Sequence, residues 1–224
     1  MPKRGQLINE ITHERGYGVL LVAQMGGAPN ELQLLVQTAE YDPNVEGLRE
    51  RHGYIIRALG VREHKLSLGL FGTLQFTEDH PLLYHHNAPR VGVFFRGGVP
   101  NVYEVALDIS QAHASTFGPW RHLADDLNRA RPLVDLLALG GGLLGEMPQP
   151  AAERMARVLQ HHNVEYKLIE DTEFKTTDEH GRSRLSKLLL IDESYVIALD
   201  FSVEQMGAHQ ARREGISGGN REWN

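Results

Sequence analysis

The spacing of apolar residues changes period several times along this chain. Over residues 6–15, Leu7, Ile8 and Ile11 share one helical stripe, and Gly16 stands where such a helix would stop. The period then drops to two. Tyr17 to Gln24 and Glu31 to Tyr41 read as strands, with Gly26, Gly27, Pro29 and Asn30 forming the turn of a hairpin. Tyr54 to Val61, Lys65 to Phe71, Thr73 to Thr77, Val91 to Phe95 and Val102 to Ile109 extend the series. Gly60, Gly69, Gly72, Pro81, Pro89 and Pro100 punctuate it. The N-terminal half therefore predicts a mainly antiparallel sheet or partial barrel.

Helical spacing follows. Pro119 suits a first helical position, with Trp120, Leu123, Leu127 and Ala130 recurring behind it until Pro132. Pro150 opens a second helix, burying Ala151, Met155, Val158 and Leu159 and pairing Glu153 with Arg157 on the wet side. His161 and His162 close it, where imidazoles complement the helix dipole. Strands return at Val164 to Ile169, Leu188 to Ile191 and Tyr195 to Phe201, the last two as a hairpin. Ser202 with Gln205 predicts the capping box of a short final helix. Strands, then central helices, then C-terminal strands and a hairpin argue for an α+β fold, not alternating βαβ units. The expected organisation is a single α+β domain over 1–214, with a candidate sub-boundary near 111–132, and a mobile tail over 215–224. One internal echo stands out: the eight residues from Tyr103 to Ser110 resemble those from Tyr195 to Ser202, as two buried strands would.

Composition narrows the chemistry. The 224 residues suffice to bury a core without covalent staples. The absence of cysteine excludes disulfides, thiolate nucleophiles and cysteine-held metals. No stretch approaches the roughly 18 apolar residues of a membrane span, and Met1-Pro2-Lys3-Arg4 leads into polar sequence. The expectation is a soluble, cytoplasmic protein with no membrane partner. A net charge of -6 excludes an overall basic coat but leaves room for a local basic groove. Nucleic acid is therefore a candidate partner, and a homo-oligomer another. Twelve histidines against five lysines hint at metal or proton chemistry.

Four constellations could carry that chemistry. Gly140, Gly142 and Gly145 fit G-x-G-x-x-G after an apolar run, and Glu170-Asp171 ends a later strand, which is the order of a dinucleotide-binding fingerprint. Pro148 and Pro150 interrupt the place where its helix should begin, and a glycine corner is the alternative. An acid-x-lysine pattern occurs at Glu63-His64-Lys65, Glu165-Tyr166-Lys167 and Glu173-Phe174-Lys175. On a strand the acid and the lysine share a face. With Asp42 from a neighbouring strand, Glu63 and Lys65 would form a catalytic set in which the acids hold Mg²⁺ or Mn²⁺ and the lysine orients water. This arrangement resembles the loose D…(D/E)-x-K signature of metal-dependent nucleases, including restriction enzymes, and the resemblance implies phosphodiester hydrolysis. A solvated ladder of charges is the alternative. Three histidines and two acids crowd residues 78–87, so His80 and His86, with His113 in reach, are candidate metal ligands beside Asp42 and Glu63. Ser110, Ser115, Ser186 and Ser202 lack a nucleophile-elbow setting. Three functions remain: a nuclease-like, metal-dependent phosphodiester hydrolase, a non-catalytic binding or assembly module, and a nucleotide binder at Gly140 to Gly145.

Overall fold

The computed structural model describes residues 2–14, 16–44, 46–171, 174–177, 180–181 and 184–207. The chain divides into two compact units, Met1–Glu78 with Ser186–Asn224, and Asp79–Leu185. Residues 111–132 lie wholly within the second unit. The tail 215–224 and Glu173 lie outside the described residues. Chain order runs α1 (Pro2–Thr12), β1 (Gly16–Met25), β2 (Glu31–Asp42), β3 (Gly47–Leu59), β4 (Glu63–Lys65), β5 (Gly69–Phe71) and β6 (Leu74–Thr77) in the first unit. The second unit holds α2 (Tyr84–Asn87), β7 (Arg90–Arg96), α3 (Val102–Phe117), α4 (Leu133–Ala138), β8 (Gly141–Pro148), α5 (Gln149–His161) and β9 (Glu165–Glu170). β10 (Lys187–Ile191), β11 (Ser194–Ala198) and β12 (Asp200–Gln205) complete the first. Antiparallel sheets beside several helices make the fold α+β.

In the first unit one sheet has the order β12-β3-β2-β1-β5 and the other β4-β11-β10-β6. β5 hands over to β6, and β11 to β12, so the two sheets close round one core as a barrel-like wall. The period-two pattern builds that core: Leu32, Leu34 and Val36 of β2 and Tyr54, Ile56 and Ala58 of β3 all point inward and are buried. Leu7 and Ile11 of α1 are buried in the same cluster, each worth about 1.5–3 kcal/mol by area. The corner after β3 requires Gly60: its φ is +65°, and a Cβ there would press on Leu199.

Two expectations in this unit are corrected. Gly16 does not cap the helix, which ends at Thr12; it is glycine because a Cβ would collide with the Glu10 carbonyl oxygen. Ser202 and Gln205 open no final helix. They lie in β12, paired with Arg57 and Tyr54, because Phe201 and Val203 alternate into the barrel core.

The second unit is a three-stranded antiparallel sheet, β8-β7-β9, covered by α3 and α5. Val91, Val93 and Phe95 face those helices. The predicted strand from Val102 to Ile109 is instead the start of α3. Asn101 accepts the Glu104 N–H at 3.3 Å and donates its amide to the Glu104 carboxylate at 3.1 Å, which nucleates the helix. Val105, Ile109, His113 and Phe117 are then buried at spacings of four. The two echoing segments are therefore not both strands: the first lies in α3 and the second in β11 and β12. The helix expected after Pro119 is also absent. Two short 3₁₀ turns replace it, because the following backbone bonds sideways to β8: Asn128 N–H donates to Leu144 O at 2.9 Å, and Glu146 N–H to Asp126 O at 3.0 Å. Among the described residues no helix is long and apolar enough to cross a membrane.

Candidate functional site

The structure does not bring Asp42 and Glu63 together. Asp42 ends β2, where it accepts the Asn44 N–H at 2.9 Å and side-chain amide at 3.0 Å in the hairpin loop. Glu63 lies beside Asn30 and Leu32, at the opposite end of β2, so about ten residues, or about 33 Å of strand, separate them. The Tyr195 hydroxyl donates to Glu63 at 2.6 Å, and Lys65 is exposed at the end of β4. His80 and His86 belong to the second unit. His80 caps a 3₁₀ turn, its Nδ1 accepting the Leu82 N–H at 3.2 Å, and its ring meets Trp120 edge-on. Burial lowers its pKa from the ordinary imidazole value, against the opposing field of Asp79. His86 closes α2. Among the described residues no three His, Asp or Glu side chains are arranged to hold a metal. Asp42 and Glu63 therefore do not meet in the pair expected to hold Mg²⁺ or Mn²⁺.

The glycine pattern serves the backbone. Gly140, at φ +74°, turns the chain out of α4, and Gly142, at φ +144°, is the second residue of β8. Gly145 is glycine because a Cβ would collide with the Asp126 carbonyl oxygen. No helix opens on these residues; they lie in and before an antiparallel strand, so the phosphate-cradling geometry of a dinucleotide loop is not formed.

Two carboxylate centres escaped the sequence reading. In the second unit, Asp126 is buried between two imidazoles: His113 Nε2 lies 2.9 Å from Oδ2 and His85 Nε2 3.2 Å from Oδ1. Burial alone would raise its pKa, but the two imidazoles hold the carboxyl well below the usual range. Both rings pack on Phe117, with centroids 4.8 and 5.6 Å away. In the first unit, Glu10 of α1 collects Thr38 Oγ1 at 2.6 Å, Tyr54 OH at 3.0 Å, His52 Nδ1 at 2.9 Å and Gln6 Nε2 at 3.3 Å. Burial pushes this carboxyl up; the hydrogen bonds from Thr38, Tyr54 and Gln6 outweigh that and leave it lowered. Thr38 sits at the bulge in the β2–β3 ladder, where its hydroxyl also accepts the His52 N–H. Glu10 is satisfied by its own neighbours, and His113 ties Asp126 to α3, while Asp126 Oδ1 and His85 Nε2 face each other without a hydrogen bond.

A third arrangement faces solvent. Helices α3 and α5 run antiparallel, and two bonds cross between them. Arg154 Nη1 donates to Ser115 Oγ at 3.0 Å at one end, and His162 Nε2 lies 2.7 Å from Asp108 Oδ2 at the other. Between these ties lies an open groove of about 400 Å³, floored by Ala112 and Val158 and walled by Gln111, Arg157 and His161. Arg157 is exposed, and the expected Glu153 partner instead accepts from Gln149 at 3.0 Å. The groove thus presents a guanidinium, an imidazole and one carboxylate, Asp108, which is bonded to His162. Its signal in the sequence is helical register: residues 108, 111, 112 and 115 on α3 and 154, 157, 158 and 161 on α5 each form one stripe. Comparison with protein-family models, curated proteins and solved structures finds no match to this chain.

Proposed function

We propose that this chain is a non-catalytic binding and assembly module whose α3–α5 groove takes an anionic group. The observation that carries this reading is the groove itself: Arg157 and His161 stand open over an apolar floor, between two cross-helix ties that fix its walls. A guanidinium offers a planar fork of donors that matches phosphate oxygens. Asp108, which also lines the groove at its far end, is engaged by His162 at 2.7 Å. The ligand class is a phosphate-bearing molecule, either a nucleic-acid strand or a smaller phosphorylated compound.

Calorimetric titration with inorganic phosphate and with a single-stranded oligonucleotide tests this reading. Saturable binding that weakens about tenfold or more in Arg157→Glu, and weakens with added salt, is the expected result. Absence of binding by both probes overturns it. The competing nuclease reading predicts Mg²⁺- or Mn²⁺-dependent cleavage of plasmid DNA that Glu63→Ala abolishes; that outcome would displace the binding-module reading outright.

A further inference from the structure

The two ties across the α3–α5 groove set its length. Asp108 and Ser115 lie two helical turns apart on α3, so at about 1.5 Å per residue the floor between the ties runs about 10 Å. Within that length the donors are few and close together. Arg157 and His161 are both exposed and lie one turn apart on α5, so their side chains stand side by side on one wall. Among the described residues Arg157 makes no hydrogen bond or ion pair, whereas the neighbouring guanidinium of Arg154 is bonded to Ser115. The His161 ring meets His162 edge-on at 5.2 Å, and His162 is itself bonded to Asp108, which braces that end of the wall. Among the described residues lining the groove, none is Phe, Tyr or Trp.

We infer that this groove takes a single terminal phosphate, as the monoester of a compact and largely apolar alcohol, and not a nucleic-acid strand. The inference rests on the anion-binding reading of the groove and narrows its ligand. A phosphomonoester carries about -1.5 to -2 charges near pH 7 and offers three oxygens. Each internal phosphodiester of a strand carries one charge and two free oxygens. Three oxygens match the donors present: two meet the Arg157 fork and one meets a ring N–H of His161. A strand needs more than this. It is held by a row of cations along its backbone and by aromatic rings under its bases. Here one guanidinium is uncommitted, and the lining offers its bases no Phe, Tyr or Trp. A strand running along the groove past His161 would also bring a further phosphate towards the Asp108 carboxylate.

The floor decides what the phosphate is attached to. Ala112 and Val158 present methyl groups between the helices, and the open volume of about 400 Å³ exceeds a bare phosphate several-fold. An apolar group seated on those methyls displaces water from them while its phosphate stays at Arg157. Gln111, on the α3 wall, can meet a polar edge of that group through its amide. A longer body would run into the Arg154–Ser115 tie at one end and the Asp108–His162 tie at the other, which keeps the ligand compact.

Calorimetric titration of the whole chain near neutral pH with four probes tests the inference: phenyl phosphate, inorganic phosphate, diphenyl phosphate, and an oligothymidylate of about 12 nucleotides without terminal phosphates. Phenyl phosphate should bind saturably at one site, about tenfold or more tighter than inorganic phosphate or diphenyl phosphate, with the oligothymidylate weaker still. Ala112→Leu, which fills the floor, should weaken phenyl phosphate about tenfold and inorganic phosphate much less, with an unchanged circular-dichroism spectrum. The comparison of probes on the wild-type chain stands whether or not that variant folds. Oligothymidylate or diphenyl phosphate binding as tightly as phenyl phosphate overturns the inference and leaves the anion-binding reading intact. Equal affinities for phenyl phosphate and inorganic phosphate overturn it as well, since the floor then contributes nothing. Silence from all four probes overturns both the inference and the reading beneath it.

Discussion

Each unit ties a carboxylate into its interior, and the two, Glu10 and Asp126, are held by opposite means. Glu10 is tied by two hydroxyls, an amide and a half-exposed imidazole, drawn from a helix and two strands. Asp126 sits on an irregular turn and is hydrogen-bonded by His113, with His85 3.2 Å away and both rings packed at a tilt on Phe117. The first is a polar rivet between a helix and a sheet. The second replaces regular secondary structure: with no helix over 119–130, the pairing of Asp126 with His85 and His113 fixes the segment's place. The barrel should therefore tolerate loss of its carboxylate better than the second unit tolerates loss of its own.

The largest effect is expected from Asp126→Ala. It removes the acceptor that buried His113 bonds and leaves that ring nitrogen unsatisfied beside Phe117, with a cavity where the carboxylate stood, at a cost of about 3–4 kcal/mol, read by chemical denaturation. Gly145→Ala should follow at about 3 kcal/mol, because the added Cβ meets the Asp126 carbonyl and must part β8 from the segment that covers it. Glu10→Gln should cost about 2 kcal/mol: an amide oxygen can still accept, but the NH₂ group now faces hydroxyls that were donors. Gly140→Ala should be mildest, at about 1–2 kcal/mol, since the left-handed φ is strained for alanine but the space is open. If Gly140→Ala destabilised more than Gly145→Ala, the backbone-packing account of the glycine pattern would fail.

Acid sharpens the same contrast. Both carboxyls have folded pKa values below their unfolded ones. Their stabilisation is complete above the unfolded values, near 4, and is lost as the pH falls through the lower folded values. Asp126→Asn should flatten the acid limb of stability against pH more than Glu10→Gln does, as measured by urea midpoints between about pH 2 and about pH 6.

The strands of the barrel were legible because one face of each is buried, and alternation records that directly. Val102 to Ile109 was misread because valine, isoleucine and tyrosine suit strands; Asn101 and Glu104, which decide for helix, lie just outside or within that run and act through a cap. The expected catalytic set was misplaced for a related reason. Asp42 and Glu63 are 21 positions apart, a separation that neighbouring strands can bridge, but Asp42 ends β2 while Glu63 opens β4 near the start of β2. The groove was hidden until α3 was known to be a helix, since only then do Asp108 and Ser115 fall on one stripe.

Imidazole nuclear magnetic resonance during a phosphate titration tests the central claim most directly. The account predicts that His161 ring resonances move saturably with phosphate while those of buried His85 and His113 stay fixed, and that Arg157→Glu abolishes the movement. Static His161 resonances, or equal movement of all three rings, would contradict it.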